Sequence, residues 1–558
     1  MSIALPVLPR SDSFIAELLR EQNALTAVER FSEVHSSSEH IQARYYRDLL
    51  PSAPPRPGYQ FAFEVDLDKC SGCKACVVAC HSMNGLEDDE VWRRVGTTMT
   101  RGPIGRIQHV TTACHHCEEP ACLLGCPVRA YIKDPVTGIV QHLDDQCIGC
   151  QYCTMMCPYE VPQYSARLGI VRKCDMCHQR LSAGEAPACV QGCPNEAIAI
   201  REVAVEQGGN CSDQRLCPDA PSSAITKPTT VYKTAHAKEF AASFAQDLGT
   251  LQVADSHWPL AVMLVATQAS VGLILSERML AAWRLAVGSE PYEPVTRLST
   301  LVALGLAILG LNIAPLHLGQ PRRAWRVFLG LRTSWLSREA VILGAYVGLL
   351  AAATAQTWHP IWESALPARI NEWAGRLPEW TGNALLGMSL LFGITGLISS
   401  AMVYVVTRRG LWRMGRTMPR FLFSGMTTGA GCMLPILAFE STSFLHYSWM
   451  SAATFVLLAV KLVWEVRLCL LSGQSDLDRR SARLLKGPMK AVLLARLALG
   501  VAALLLIVAS VSTWSSQWEA GTGLTALGAA LLLLTGELAE RLLYFTTVVY
   551  DRMPGTLR

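Results

Sequence analysis

Residues Cys70 to His81 read CSGCKACVVACH, four cysteines at CxxCxxCxxxC spacing in a chain whose second half is almost continuously apolar. Cysteines this close on a tight loop can give three thiolates to one iron–sulfur cubane while the fourth reaches a neighbouring one. Two-cluster ferredoxins work this way, and a proline commonly follows the crossing cysteine.

Three more quartets follow. CHHCEEPACLLGCP carries Cys114, Cys117, Cys122 and Cys126, and CIGCQYCTMMCP carries Cys147, Cys150, Cys153 and Cys157. The looser CDMCHQRLSAGEAPACVQGCP supplies Cys174, Cys177, Cys189 and Cys193. Pro127, Pro158 and Pro194 stand after the last cysteine of these three, whereas His81 breaks the pattern in the first. Structural zinc also uses CxxC pairs, but it wants two separated pairs per ion. Four runs of four read instead as ligands for four [4Fe-4S] clusters, and with cysteine at all sixteen positions nothing suggests a three-iron cluster. The stretch YIKDPVTGIVQHLDDQ predicts a hairpin turning near 134–138. It joins the two middle quartets into one two-cluster unit, and by exclusion the first and fourth quartets form the other. Cys211 and Cys217 lack partners at a useful spacing and read as linker thiols.

Of 20 cysteines, 18 lie between Cys70 and Cys217. The start, MSIALPVLPRSDSF, shows neither a signal-peptide pattern nor a twin-arginine pair, so these thiols are expected in a reducing cytoplasm, where clustered thiols hold metal more often than they pair. Apolar residues make up 51% of the chain and charged ones 17%, against about a quarter in soluble domains, which favours a large membrane-embedded part. A net charge of +4 gives no argument for nucleic acid.

Eight apolar runs are near the length of a membrane-spanning helix: 259–275, 298–316, 340–355, 384–406, 421–439, 449–471, 491–511 and 524–545. Arginine and lysine crowd three alternate loops. These carry Arg322, Arg323, Arg326, Arg332 and Arg338; then Arg408, Arg409, Arg413, Arg416 and Arg420; then Arg479, Arg480, Arg483, Lys486 and Lys490. By the positive-inside rule that face is cytoplasmic. With eight spans, the cysteine-rich part and both termini share it, in the inner membrane of the cell.

Lys461, Glu465, Arg467, Arg496, Glu537, Glu540 and Arg541 lie inside spans, in the same half of the bilayer as His317. Ionisable groups are costly in hydrocarbon and should face one another or a hydrated cavity. Taken pair by pair, Lys461/Glu465 and Glu537/Arg541 are i,i+4 ion pairs that let helices pack. Their shared depth favours one polar pocket for a lipid-soluble partner that exchanges protons and electrons. A quinone (menaquinone or ubiquinone) is the candidate, bound by His317, Lys461, Glu465, Arg496 and Glu537, with His317, Glu537 and Arg541 in catalytic roles. The histidines of this half stand at helix ends or in loops, so no haem is expected.

Residues from about 60 to 205 resemble the four-cluster electron-transfer subunit of dimethyl sulfoxide reductase-type molybdoenzymes, through all four quartets in order. Residues from about 255 to 550 resemble that family's membrane anchor, through HLGQPRRAWRVFLGLRTSWLSRE at His317 to Glu339 and GELAERLLYF at Gly536 to Phe545. The fold class is therefore an α+β double-ferredoxin-like domain followed by an all-α bundle of eight transmembrane helices. The expected divisions are an N-terminal extension at 1–60 with a surface amphipathic helix, the cluster domain at 61–207, a linker at 208–256, the anchor at 257–550 and a tail at 551–558.

The resemblance implies the same pairing of quartets, quinone exchange near His317, and a molybdopterin-containing catalytic subunit on another chain. With the crossover rule, Cys193 completes the set of Cys70, Cys73 and Cys76, and Cys80 completes that of Cys174, Cys177 and Cys189. Electrons could run from quinol to a sulfoxide-type reductase or from a cytoplasmic sulfite dehydrogenase to quinone, and the inward orientation leans towards the second. Two other readings are a redox-linked proton translocator, which would need ionisable groups through the outer half of the membrane, and a quinol dehydrogenase feeding soluble carriers.

Overall fold

The computed structural model describes residues 43–101, 105–205, 215–288, 293–365, 380–440, 442–470, 475–515 and 519–556, with a few single positions besides. The expected amphipathic helix before residue 60, and Cys211, fall outside these stretches.

Strand order explains which quartets meet. β1 (Tyr59–Asp66) leads into the first quartet and β8 (Ile198–Ala204) leaves the fourth, and the two pair antiparallel from Tyr59↔Ala204 to Val65↔Ile198. Phe61, Phe63 and Val65 alternate along β1 and enter a core with Ile198 and Ile200. Between them, β4 (Tyr131–Lys133) and β5 (Val140–His142) form the hairpin expected there. Asp134 closes its turn, accepting from the backbone N–H groups of Val136 and Thr137, both at 2.8 Å. β2 (Arg94–Thr100) and β3 (Ile107–Thr112) make another antiparallel pair, and β6 (Gln163–Ser165) with β7 (Ile170–Arg172) a short one.

Short helices repeat the same pairing. α1 (Ala75–Asn84) packs on α5 (Ala188–Gln191), and α2 (Ala121–Gly125) on α3 (Tyr152–Met156), while α4 (His178–Ser182) follows Cys177.

Two boundaries differ from the sequence reading. The segment expected as a linker adds β9 (Val231–Lys233), parallel to β1, and β10 (Ser243–Ala245), antiparallel to β2. Cys217 is accordingly a buried core residue, 3.7 Å from the Met553 sulfur. The C-terminal tail returns to the same domain, with Met553 in its core and Gly555 against the backbone of Gly96. A Cβ on Gly96 would stand 2.0 Å from the Pro554 carbonyl carbon, so only glycine admits the tail there. Both segments carry apolar residues that the small sheets leave room to bury, a property invisible in local composition.

The second half contains α6 (Trp258–Ala286), α7 (Glu293–Ile313), α8 (Trp335–Trp362), α9 (Trp380–Val405), α10 (Met414–Phe439), α11 (Phe444–Leu470), α13 (Lys490–Ser515) and α14 (Glu519–Thr546), with the amphipathic α12 (Asp476–Lys486) before α13. The eight long helices are all apolar and long enough to cross a membrane. The cysteine-rich domain sits on the end of the bundle that carries the arginine-rich loops. Arg326 donates to the Asp145 carbonyl at 2.6 Å, Arg409 to that of Thr154 at 3.2 Å, and Ser334 to that of Gly125 at 2.7 Å. Gly149, Gly169 and Gly319 meet backbone to backbone at this joint, where a Cβ on Gly319 would stand 2.1 Å from the Gly169 oxygen.

Candidate functional site

The loops that carry the thiols share a backbone shape. In the first quartet Gly72 and Lys74 have φ of 73° and 63°, and in the third Gly149 and Gln151 have φ of 68° and 58°. Left-handed residues on both sides of a cysteine curl the chain so that successive N–H groups point inward, a concavity suited to anions. Amide groups accordingly aim at sulfur: Ala130 N–H at Cys126 Sγ (3.3 Å), Gly149 at Cys147 (3.4 Å) and Ala197 at Cys193 (3.3 Å).

Two small cavities are each edged by four thiols. One has Cys114, Cys117 and Cys122 with Cys157; the other has Cys147, Cys150 and Cys153 with Cys126. The last cysteine of each middle quartet thus stands with the other quartet. In the outer unit Cys70 faces Cys73, Cys76 and Cys193, and Cys80 faces Cys177 and Cys189. Cys174 lies near Cys80 and Cys189, and also near Cys114, which links the two units. Burial pushes the Cys80 thiol up to about 12 and that of Cys157 up to about 11, the environment of thiols whose ionised form needs a metal to balance its charge. Eight thiols in two walled fours, and eight more grouped in fours beside them, with amides aimed at several of the sulfurs, fit cubane ligation. At the far end of this series Cys73 is exposed.

At the opposite end a cavity of about 210 Å³ lies between the two halves. Ile148, Cys150 and Tyr152 form one wall; His317, Glu339 and Tyr404 stand among the bundle's contributions to the other. The remaining lining is mostly aliphatic, the usual character of a small-molecule site. His317 is half-buried on the turn after α7, its Nδ1 hydrogen-bonded to the Ala314 carbonyl. Glu339 is buried near the start of α8, accepts a hydrogen bond from Ser400, and has no charged group beside it among the described residues. A carboxyl and an imidazole on one apolar cavity can give and take protons beside a bound ligand. Tyr152 OH donates to the Val403 carbonyl at 2.8 Å and ties the two walls together.

The other polar residues expected at this pocket are elsewhere. Glu537 pairs with Lys461 through one oxygen and with Arg496 (2.7 Å) through the other. Arg496 also clasps both oxygens of Glu465 at 3.0 Å. Arg541 pairs with Glu540 (2.8 Å) and donates to Gln268 and Ser424. Arg467 is exposed. None of Lys461, Glu465, Arg496, Glu537 and Arg541 lines the His317 cavity. Their helices, α11, α13 and α14, turn these side chains toward one another. The rings of Tyr404, Phe421 and Tyr544 stand between, Tyr404 lying 5.9 Å from Phe421 and 5.6 Å from Tyr544, and the Arg541 guanidinium lies over Phe421. Glu339, which the sequence reading did not single out, is the carboxyl at the cavity. In the sequence Glu339 stands just before the apolar run at 340–355, beside Arg338, and reads as a loop residue; the helix that begins at Trp335 brings it into the bundle.

The geometry defines a class: a cluster-type cysteine domain seated on a membrane bundle, with a cavity at their joint. Residues 253–547 match the family model described as the DMSO reductase anchor subunit (DmsC), and residues 106–203 match a 4Fe-4S dicluster domain. The chain belongs to the DMSO reductase anchor subunit family, with an iron–sulfur subunit fused ahead of it. It is 35% identical over 187 residues to the B subunit of the anaerobic dimethyl sulfoxide reductase of Haemophilus influenzae, covering 31% of this chain and 89% of that protein. The corresponding Escherichia coli subunit is 34% identical over 186 residues, 31% of this chain and 88% of the relative. The iron–sulfur subunit of the E. coli nitrate-inducible formate dehydrogenase is 36% identical over 152 residues, 24% of this chain and 51% of that protein. The chain therefore combines electron transfer and membrane anchoring in an oxidoreductase complex.

Proposed function

We propose that this chain carries electrons between a quinone bound at the His317–Glu339 cavity and a molybdopterin-containing subunit docked at the exposed end near Cys73. The observation that carries this reading is the shared cavity wall: Cys150 stands on one side, His317 and Glu339 on the other. Four [4Fe-4S] clusters and a quinone would supply, respectively, one-electron carriers and a two-electron, two-proton couple. The ligand sets are Cys126/147/150/153 beside the membrane, then Cys114/117/122/157, Cys80/174/177/189, and Cys70/73/76/193 at the surface. His317 and Glu339 hold and move the protons, and Tyr152 and Val403 fix the spacing between cavity and cysteine loop. The arginine-rich loops set the iron–sulfur face in the cytoplasm.

The test is purification of the intact complex from membranes, with iron and molybdenum analysis and cluster spectra after mixing with a quinol or quinone analogue. A large molybdenum-bearing partner and clusters in redox exchange with the analogue are expected. No such partner, or clusters indifferent to the analogue, would overturn the reading.

A further inference from the structure

Two cations are buried where neighbouring thiol sets adjoin, and neither forms an ion pair among the described residues. Arg93, entering β2, is 2% exposed. Its Nη1 donates to Thr111 Oγ1 at 3.2 Å, and that hydroxyl lies 3.6 Å from Cys76 Sγ. The guanidinium covers the Phe63 ring at 4.5 Å and faces the Cys189 thiol. Around it stand Cys76, of the surface set, and Cys80, Cys174 and Cys189, of the next. Lys173, 3% exposed at the end of β7, donates to the carbonyls of Val140 and Cys174. Its thiol neighbours are Cys174, of the same set as Cys80, and Cys114 and Cys122 of the third.

An unpaired cation costs several kcal/mol to bury, so each needs a negative counterpart in place. For Arg93 the sulfur-ligated centres are the negative groups around it; for Lys173 they come first, ahead of Asp175, whose carboxylate is engaged by His178 at 2.8 Å. The third junction is different: it holds a neutral Tyr131, whose hydroxyl faces Cys153, with Cys122 and Cys126 beside it. His142, beside Cys147, brings its own carboxylate, Asp144, at 2.7 Å. Lys133, near Cys117, is half-buried and faces Glu118, so solvent and carboxylate screen it.

Reduction makes a cluster more negative by one charge, and a fixed cation nearby favours that form. Resting on the ligand sets above, we propose that Arg93 and Lys173 together raise the reduction potential at Cys80/174/177/189 and make it the highest-potential station of the relay. Each transfer passes one electron between adjacent clusters, with no bond made or broken. The station beside the membrane has only a half-exposed cation against it among the described residues, Arg323, which donates to the Cys147 carbonyl at 3.4 Å and is screened by solvent; it hands electrons inward downhill and receives them only uphill.

The experiment is an EPR-monitored redox titration of the purified complex carrying Arg93→Gln, Lys173→Gln, Arg93→Lys or Lys173→Arg. Each glutamine variant should lower the midpoints of two clusters, with one signal shifted in both, the one reduced first in the unmodified protein. The charge-keeping variants should hold the unmodified midpoints. Unshifted midpoints, a doubly shifted signal that is not the highest, or loss of clusters from both glutamine variants would overturn the proposal. Fewer than four cubane signals in the unmodified protein would instead overturn the ligand sets, whatever the variants do.

Discussion

Two polar regions lie inside the bundle, and they are built in opposite ways. Around Glu537 every carboxylate has a cation: Lys461 and Arg496 share Glu537, Arg496 clasps Glu465, and Arg420 and Arg541 flank Glu540. Around His317 there is room, and the carboxyl there, Glu339, meets a hydroxyl rather than a charge. The first arrangement spends its ionisable groups on each other and leaves little chemistry for a ligand. The second keeps them available, which is why the proposed site rests on the cavity and not on depth in the membrane.

Variants sharpen this contrast. The largest expected effect is on turnover: Glu339→Gln or His317→Ala should slow quinone-dependent turnover by about 10²–10⁴-fold, the range for a lost proton-transfer group. Iron content and thermal stability should stay unchanged, as measured by metal analysis and detergent melts. Next comes stability without function. Glu537→Ala takes the close carboxylate from Lys461, leaving it Ser424 and a Glu465 oxygen 3.8 Å away, while Arg496 keeps Glu465; removing one partner from a buried ion pair costs about 3–5 kcal/mol. Unfolding in detergent should report that loss, and Lys461→Met combined with Glu537→Leu should recover much of it, since a well-packed apolar pair replaces a buried ion pair at little or no cost. The smallest effect tests the joint: Tyr152→Phe removes the hydrogen bond to Val403, worth about 0.5–1.5 kcal/mol. It should weaken quinone-analogue affinity modestly and leave the melting of the ion cluster alone.

The same contrast shows what the amino-acid order discloses. Cysteine spacing and the order of β1, β4, β5 and β8 place the thiols in their groups, because each loop is short and its partners are local or joined by one strand pair. Hydropathy marks eight spans because each is continuous, although the helices run beyond the apolar runs at most ends. Which polar side chains share a cavity depends on helix rotation and packing, and residues such as Lys461 and Glu339 look alike until neighbours are known. Segments 215–245 and 551–556 read as linker and tail because their local pattern is weak, yet strand pairing and Met553 fold them into the iron–sulfur domain.

The central claim is the place of the quinone, and photolabelling with an azido-quinone followed by peptide mapping tests it most directly. The account predicts label on the stretch from Ala314 to Leu318 or from Val403 to Tyr404, lost on competition with unlabelled quinone. Competable label on α11 or α14, around Lys461 and Glu537, with none at the joint, would contradict it.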